Sequence, residues 1–192
     1  MRRIVAAEYV SVDGRMQMEP PSGVDERVGG WTAPFWDDEL QTLQHELLFA
    51  SDALLLGRRT YEGFAASWPS MTDEEGFAER MNSLPKFVAS TSLAGPLEWN
   101  ARLLDGNPIE EIRALKEEPG QDLLIYGSGT LVRVLLALGL IDELRLMIHP
   151  VLLGWGKRLL DDEGAELTLT DSRVTAKGVA VLSYRVDVAD TE

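Results

Sequence analysis

Apolar residues along this chain gather into short unbroken runs, and the segments between them repeat at helical spacing. Strands buried on both faces therefore alternate with amphipathic helices. Ile4 to Val12 predicts a first strand, closed by Ser11-Val12-Asp13-Gly14, where Asp-Gly signals a turn. From Asp37 a helix follows, with Asp37, Asp38 and Glu39 at its positive end and Leu40, Leu43, Leu47 and Leu48 on its inward stripe. Ala53 to Leu56 predicts a second buried strand, which Gly57 turns into a helix running through Phe64 to Trp68. A loop and short helix fill Met71 to Leu84, before a third strand at Lys86 to Ala89 and a brief one at Ala101 to Leu104. Asn107-Pro108-Ile109-Glu110 joins a capping Asn to Pro at the first helical position and Glu three residues after the cap; that helix stops at Pro119-Gly120.

The most regular stretch is Leu123 to Leu136. Leu123 to Tyr126 is apolar without alternation, Gly127-Ser128-Gly129 breaks it, and from Thr130 the residues Leu131, Val134, Leu135 and Leu138 recur at helical spacing. Such a turn aims backbone N–H groups at a helix N-terminus, where partial positive charge favours an anion. Beyond it the pattern changes. Leu144 to Ile148 predicts a strand, and Leu167 to Thr170 and Val179 to Val186 read as antiparallel strands joined across Lys177-Gly178. The pattern implies an α/β sheet finished by an antiparallel edge.

Composition narrows the chemistry. A chain of 192 residues, 45% apolar, fits one domain over 1–192. The formal net charge of -14 argues against nucleic acid or an anionic membrane as partner, because both need a basic footprint. No cysteine and only two histidines leave little for thiolate chemistry or a zinc site, so no metal is expected. The N-terminal residues hold no apolar stretch of signal-peptide length, and a cytoplasmic protein is expected. The loop from Gly14 to Pro34 carries Trp31 among its prolines and glycines, with Trp36 just after it; a binding lid and a loop pinned to the core by its tryptophans both fit.

Candidate chemistry gathers where strands end. Arg58 and Arg59 put two guanidiniums, and Thr60 a hydroxyl, at a helix start directly after a buried strand; arginine matches phosphate oxygens in planar, bidentate fashion. Ser90 and Thr91 leave the third strand with hydroxyls, although both are also ordinary turn residues. Gly127-Ser128-Gly129 repeats the strand-glycine-helix junction.

Gly57-Arg-Arg-Thr-Tyr-Glu62, Lys86-Phe-Val-Ala-Ser-Thr91 and Ile125-Tyr-Gly-Ser-Gly-Thr130, in that order, resemble the cofactor motifs of the dihydrofolate reductase superfamily. Ser11-Val-Asp-Gly14, Gly139-Leu-Ile-Asp-Glu-Leu144 and His149-Pro-Val-Leu-Leu-Gly154 are similar to its branch containing the reductase domain of bacterial riboflavin biosynthesis deaminase-reductases. The resemblance implies a three-layer α/β/α fold with a central mixed, mostly parallel sheet, and NADPH lying across the carboxyl ends of the strands. Carried over, Gly57, Arg58, Arg59 and Thr60 would hold phosphates, and Ser90 and Thr91 would lie near the 2′-phosphate. Gly127, Ser128, Gly129, Thr130 and Leu131 would cradle the pyrophosphate. Dihydrofolate reductases carry paired glycines where this chain has Gly127-Ser128.

The implied activity is an NADPH-dependent oxidoreductase acting on a small heterocyclic or other C=N or C=C substrate. It would be similar to 5-amino-6-(5-phosphoribosylamino)uracil reductase or to dihydrofolate reductase, and would form a homodimer. Dihydrofolate reductases use a carboxylate on the first helix as proton donor, where this chain offers Asp37 and Asp38, while Asp13 matches the riboflavin branch beside the expected nicotinamide site. Asp13 is expected to carry the catalytic role, against a second reading in which it only shapes the Asp-Gly turn. The alternative for the whole chain is a non-catalytic nucleotide-binding or structural dimer that keeps the fold.

Overall fold

A computed structural model describes residues 1–18, 30–161 and 164–187. In chain order the elements are β1 (Ile4–Ser11), α1 (Asp38–Phe49), β2 (Ser51–Gly57), α2 (Arg58–Ser67), α3 (Phe77–Ser83), β3 (Lys86–Ala89), β4 (Ala101–Leu103), α4 (Pro108–Glu117), β5 (Asp122–Tyr126), α5 (Gly129–Ala137), β6 (Glu143–His149), β7 (Glu166–Val174) and β8 (Ala180–Asp187). Capping fixes where two helices start. The Asp37 carboxylate accepts the Leu40 N–H at 2.9 Å, and the Asn107 side chain accepts the Ile109 N–H at 3.1 Å ahead of Pro108.

The strands form one eight-stranded sheet in the order β4-β3-β2-β5-β1-β6-β8-β7. Neighbours from β4 to β6 pair in parallel, whereas β8 pairs antiparallel with β6 and with β7. Successive side chains point to opposite faces, which splits the core in two. Ile4, Ala6, Leu55 and Ile125 pack with α4 and α5; Val5, Ala7, Leu54 and Leu124 pack with α1, α2 and α3. This is the expected three-layer arrangement. The sheet's margins are β4, three residues long, and β7, whose pairing with β8 shifts register between Leu169 and Asp171.

Two features of this topology position a site. The helices that follow the adjacent strands β1 and β5 lie on opposite faces, which makes their carboxyl ends a switch point of the kind where open α/β sheets bind ligands. β5 ends at Tyr126, opposite Ala7, while β1 continues along β6 as far as Ser11 and His149, so β1 and β6 reach past the end of β5. Trp31 is buried and donates from Nε1 to the Gln17 carbonyl at 2.9 Å, so this end of the long loop is pinned to the core. The part of that loop at 19–29 lies outside the described residues. No helix of the described residues is long and apolar enough to cross a membrane.

Candidate functional site

Three junctions leave neighbouring strands β3, β2 and β5 at the same end of the sheet. Gly57, the last residue of β2, pairs with Ala89, so Ser90 and Thr91 emerge beside it. On its other side Gly57 donates its N–H to Ser128 Oγ at 2.8 Å, and Ser128 Oγ donates in turn to Thr60 Oγ1 at 2.8 Å. The first turn of α2 thus meets the first turn of α5. Both ends present backbone N–H groups and partial positive charge to the same space.

Local backbone makes the contact possible. Gly127 has φ +63°, and a Cβ there would come within 3.4 Å of the Thr60 side chain. Ser128 follows in the left-handed region, at φ 64° and ψ 44°, a conformation that costs a non-glycine residue on the order of 1 kcal/mol. Where the resemblance to dihydrofolate reductases implies a second glycine, this chain holds a serine in the left-handed conformation.

Arg58 and Arg59, at the head of α2, are exposed and make no hydrogen bond or ion pair with any described residue. Ser90 Oγ accepts the N–H groups of Ser92 and Leu93 at 3.1 and 3.0 Å, closing the turn after β3, and Thr91 is exposed. Thr130 is exposed as well, Leu131 buries its side chain in the core, and Gly129 lies against the Met16 side chain. Every residue assigned to an anion from the sequence therefore sits along one edge of the molecule.

Asp13 stands apart. Its Oδ1 accepts from Ser11 Oγ at 2.7 Å and from the Leu153 N–H at 3.0 Å, its Oδ2 accepts the Gly154 N–H at 2.9 Å, and Arg15 Nε lies 3.5 Å away. Burial, which alone would raise its pKa, is outweighed by these hydrogen bonds, and the carboxyl is held well below the usual carboxylate range. These contacts tie the turn after β1 to the turn after β6, as the second reading of Asp13 expects. Asp37 is occupied too, capping α1 and accepting the Lys177 N–H at 3.0 Å, and Asp38 is exposed in the first turn.

The structure adds residues that periodicity could not single out. Tyr9, on β1 just past the end of β5, and Tyr126, the last residue of β5, pack on the α1 face; Tyr126 donates to the Gln44 carbonyl at 3.4 Å, and burial raises both phenols. His149 is fully buried among the rings of Tyr9, Trp31 and Phe35, and burial lowers its pKa, leaving a neutral imidazole. Glu8 projects to the opposite face, 1% exposed, with Oε1 making no hydrogen bond. The only sequence signal for these was polarity inside an apolar strand.

Comparison with known proteins agrees with this architecture. The sequence model of the RibD C-terminal domain matches residues 2–182. The uncharacterized protein YyaP of Bacillus subtilis (strain 168) is 33% identical over 138 residues, 69% of this chain and 73% of YyaP. A solved protein of Shewanella sp. PV-4, named for riboflavin biosynthesis, superposes with a TM-score of 0.69 at 19% identity over 97% of this chain and 99% of its own. Enterococcus faecalis dihydrofolate reductase, solved with NADP(H), superposes with a TM-score of 0.62 at 15% identity over 97% of each chain. The fold is that of dihydrofolate reductase.

Proposed function

The chain belongs to the RibD C-terminal domain family, and on that premise we propose that it is an NADPH-dependent reductase delivering hydride to a small heterocycle or another C=N or C=C substrate. One observation carries the reading. In a chain with 32 acidic and 18 basic residues, the adjacent Arg58 and Arg59 keep no acidic partner among the described residues, at the point where two helix N-termini converge. Surplus carboxylates would pair with them readily; a polyanionic ligand gives a reason for leaving them open.

Bound NADPH would supply the hydride. The chain's own residues bind and orient. Arg58, Arg59 and Thr60 meet phosphate with charge and hydroxyl, and the N–H groups from Ser128 to Leu131 add donors at the start of α5. Ser90 and Thr91 are left for the 2′-phosphate. The small ring would be received past the end of β5, where β1 continues and Tyr9 and Tyr126 lie. Asp13 steadies the turns at the rim.

Titration with NADPH and with NADH, followed by tryptophan fluorescence, tests this. Binding below millimolar concentration with preference for NADPH is expected; no binding of either overturns it. The second reading, a non-catalytic dimer, is favoured by the engagement of Asp13, whose two carboxylate oxygens accept the Leu153 and Gly154 N–H groups. The homodimer itself is proposed on the family resemblance and on the exposed Leu167, Leu169 and Val174 of β7. Sedimentation at micromolar concentration tests it, and a monomer there refutes it.

A further inference from the structure

We infer that Ser128 is a positioning residue whose hydroxyl orders a directional chain of hydrogen bonds ending in a donor from Thr60 to the diphosphate of the coenzyme. The inference rests on the coenzyme reading above. Gly57 N–H can only donate, so Ser128 Oγ accepts it, at 2.8 Å. The single hydrogen of Ser128 goes to Thr60 Oγ1, also at 2.8 Å. Thr60 Oγ1 is thereby an acceptor within the protein, and its own hydrogen has no partner among the described residues. Thr60 lies in the first turn of α2, beside the open guanidiniums of Arg58 and Arg59, so the remaining O–H faces the electrostatics an anion favours. Each link polarises the next, which strengthens the terminal donor.

The backbone supplies an independent reason. Ser128 occupies φ 64°, where glycine would be free of strain. The position gains a hydroxyl at the expense of backbone comfort, and that hydroxyl makes both links of the chain.

The experiment is a double-mutant cycle on the full chain with Ser128→Gly, Thr60→Val and the two combined. NADPH and inorganic pyrophosphate serve as ligands, and thermal unfolding is recorded alongside. Ser128→Gly removes the hydroxyl and relieves the left-handed strain, so its melting temperature stays close to the parent's. Its affinity for NADPH falls about tenfold, the scale of one hydrogen bond to a charged group. Thr60→Val loses the same factor, and the double variant loses no more than either alone, because Ser128 acts through Thr60. Ser128→Ala, which keeps the strain, matches Ser128→Gly in affinity. A Ser128→Gly protein that binds NADPH as tightly as the parent, or losses that multiply in the double variant, overturns the chain of donors alone. A parent that binds neither NADPH nor pyrophosphate overturns the coenzyme reading and the inference with it.

Discussion

Asp13 accepts the backbone N–H of Leu153 at 3.0 Å, spanning 140 positions of sequence. Together with the Gly154 N–H it ties the end of β1 to the turn after β6, and both donors depend on the charge of the carboxylate. Asp13→Asn should lose about 1–3 kcal/mol of unfolding free energy at neutral pH. The carboxyl's pKa is depressed on folding, so its contribution is complete above the ordinary carboxylate range and fades as pH falls below about 4. Urea titrations of parent and variant should therefore converge in acid; a gap that stays constant down to the acid limit refutes the assignment.

Arg59→Ala should weaken NADPH by about tenfold or more and NADH by less, since the arginine is assigned to phosphate. Fluorescence titration with both coenzymes measures this. Equal losses would remove the proposed selectivity.

Glu8 sits inside β1 with an unpaired carboxyl oxygen, and burial raises its pKa well above the ordinary value. The folded chain holds this proton while the unfolded chain releases it, so stability is greatest in acid and declines as pH rises past the ordinary glutamate value toward the raised one. Glu8→Leu should raise the melting temperature at neutral pH, and its advantage should shrink on acidification. Melting curves across that interval that run parallel would show Glu8 to be ionised in the fold.

Lys86 opens β3 with its ammonium 4.0 Å from the Trp99 ring centroid and donating to the Asn82 carbonyl at 2.9 Å. Burial lowers its pKa from 10.5 to about 8. Between those values the unfolded chain binds more protons, so folding is favoured as pH rises through that interval. Lys86→Met should remove this gain: the unfolding free energies of parent and variant, measured by urea at stepped pH, should shift toward the parent across the interval. A difference independent of pH contradicts the lowered value.

The order of strands and helices was legible because each element announces itself locally: Ile4 onward and Leu123 onward by unbroken apolar runs, the helix at Pro108 by its cap. The junctions at Gly57 and Gly127 were legible for the same reason, since glycine before a helical period is a local signal. Their contact was not, because the bond from Gly57 to Ser128 joins residues 71 apart in sequence. The use of Asp13 depends on Leu153 in the same way. Tyr9, Tyr126 and His149 were hidden by alternation: a strand buried on both faces gives no sign of which inward position carries a polar atom.

The two margins of the sheet leave a neighbouring molecule little to copy. β4 offers only three residues, and the ladder along β7 is broken by its shifted register and guarded by Asp171 and Arg173. A polypeptide approaching either rim meets a three-residue strand or a ladder interrupted in register, both devices that disfavour edge-to-edge pairing.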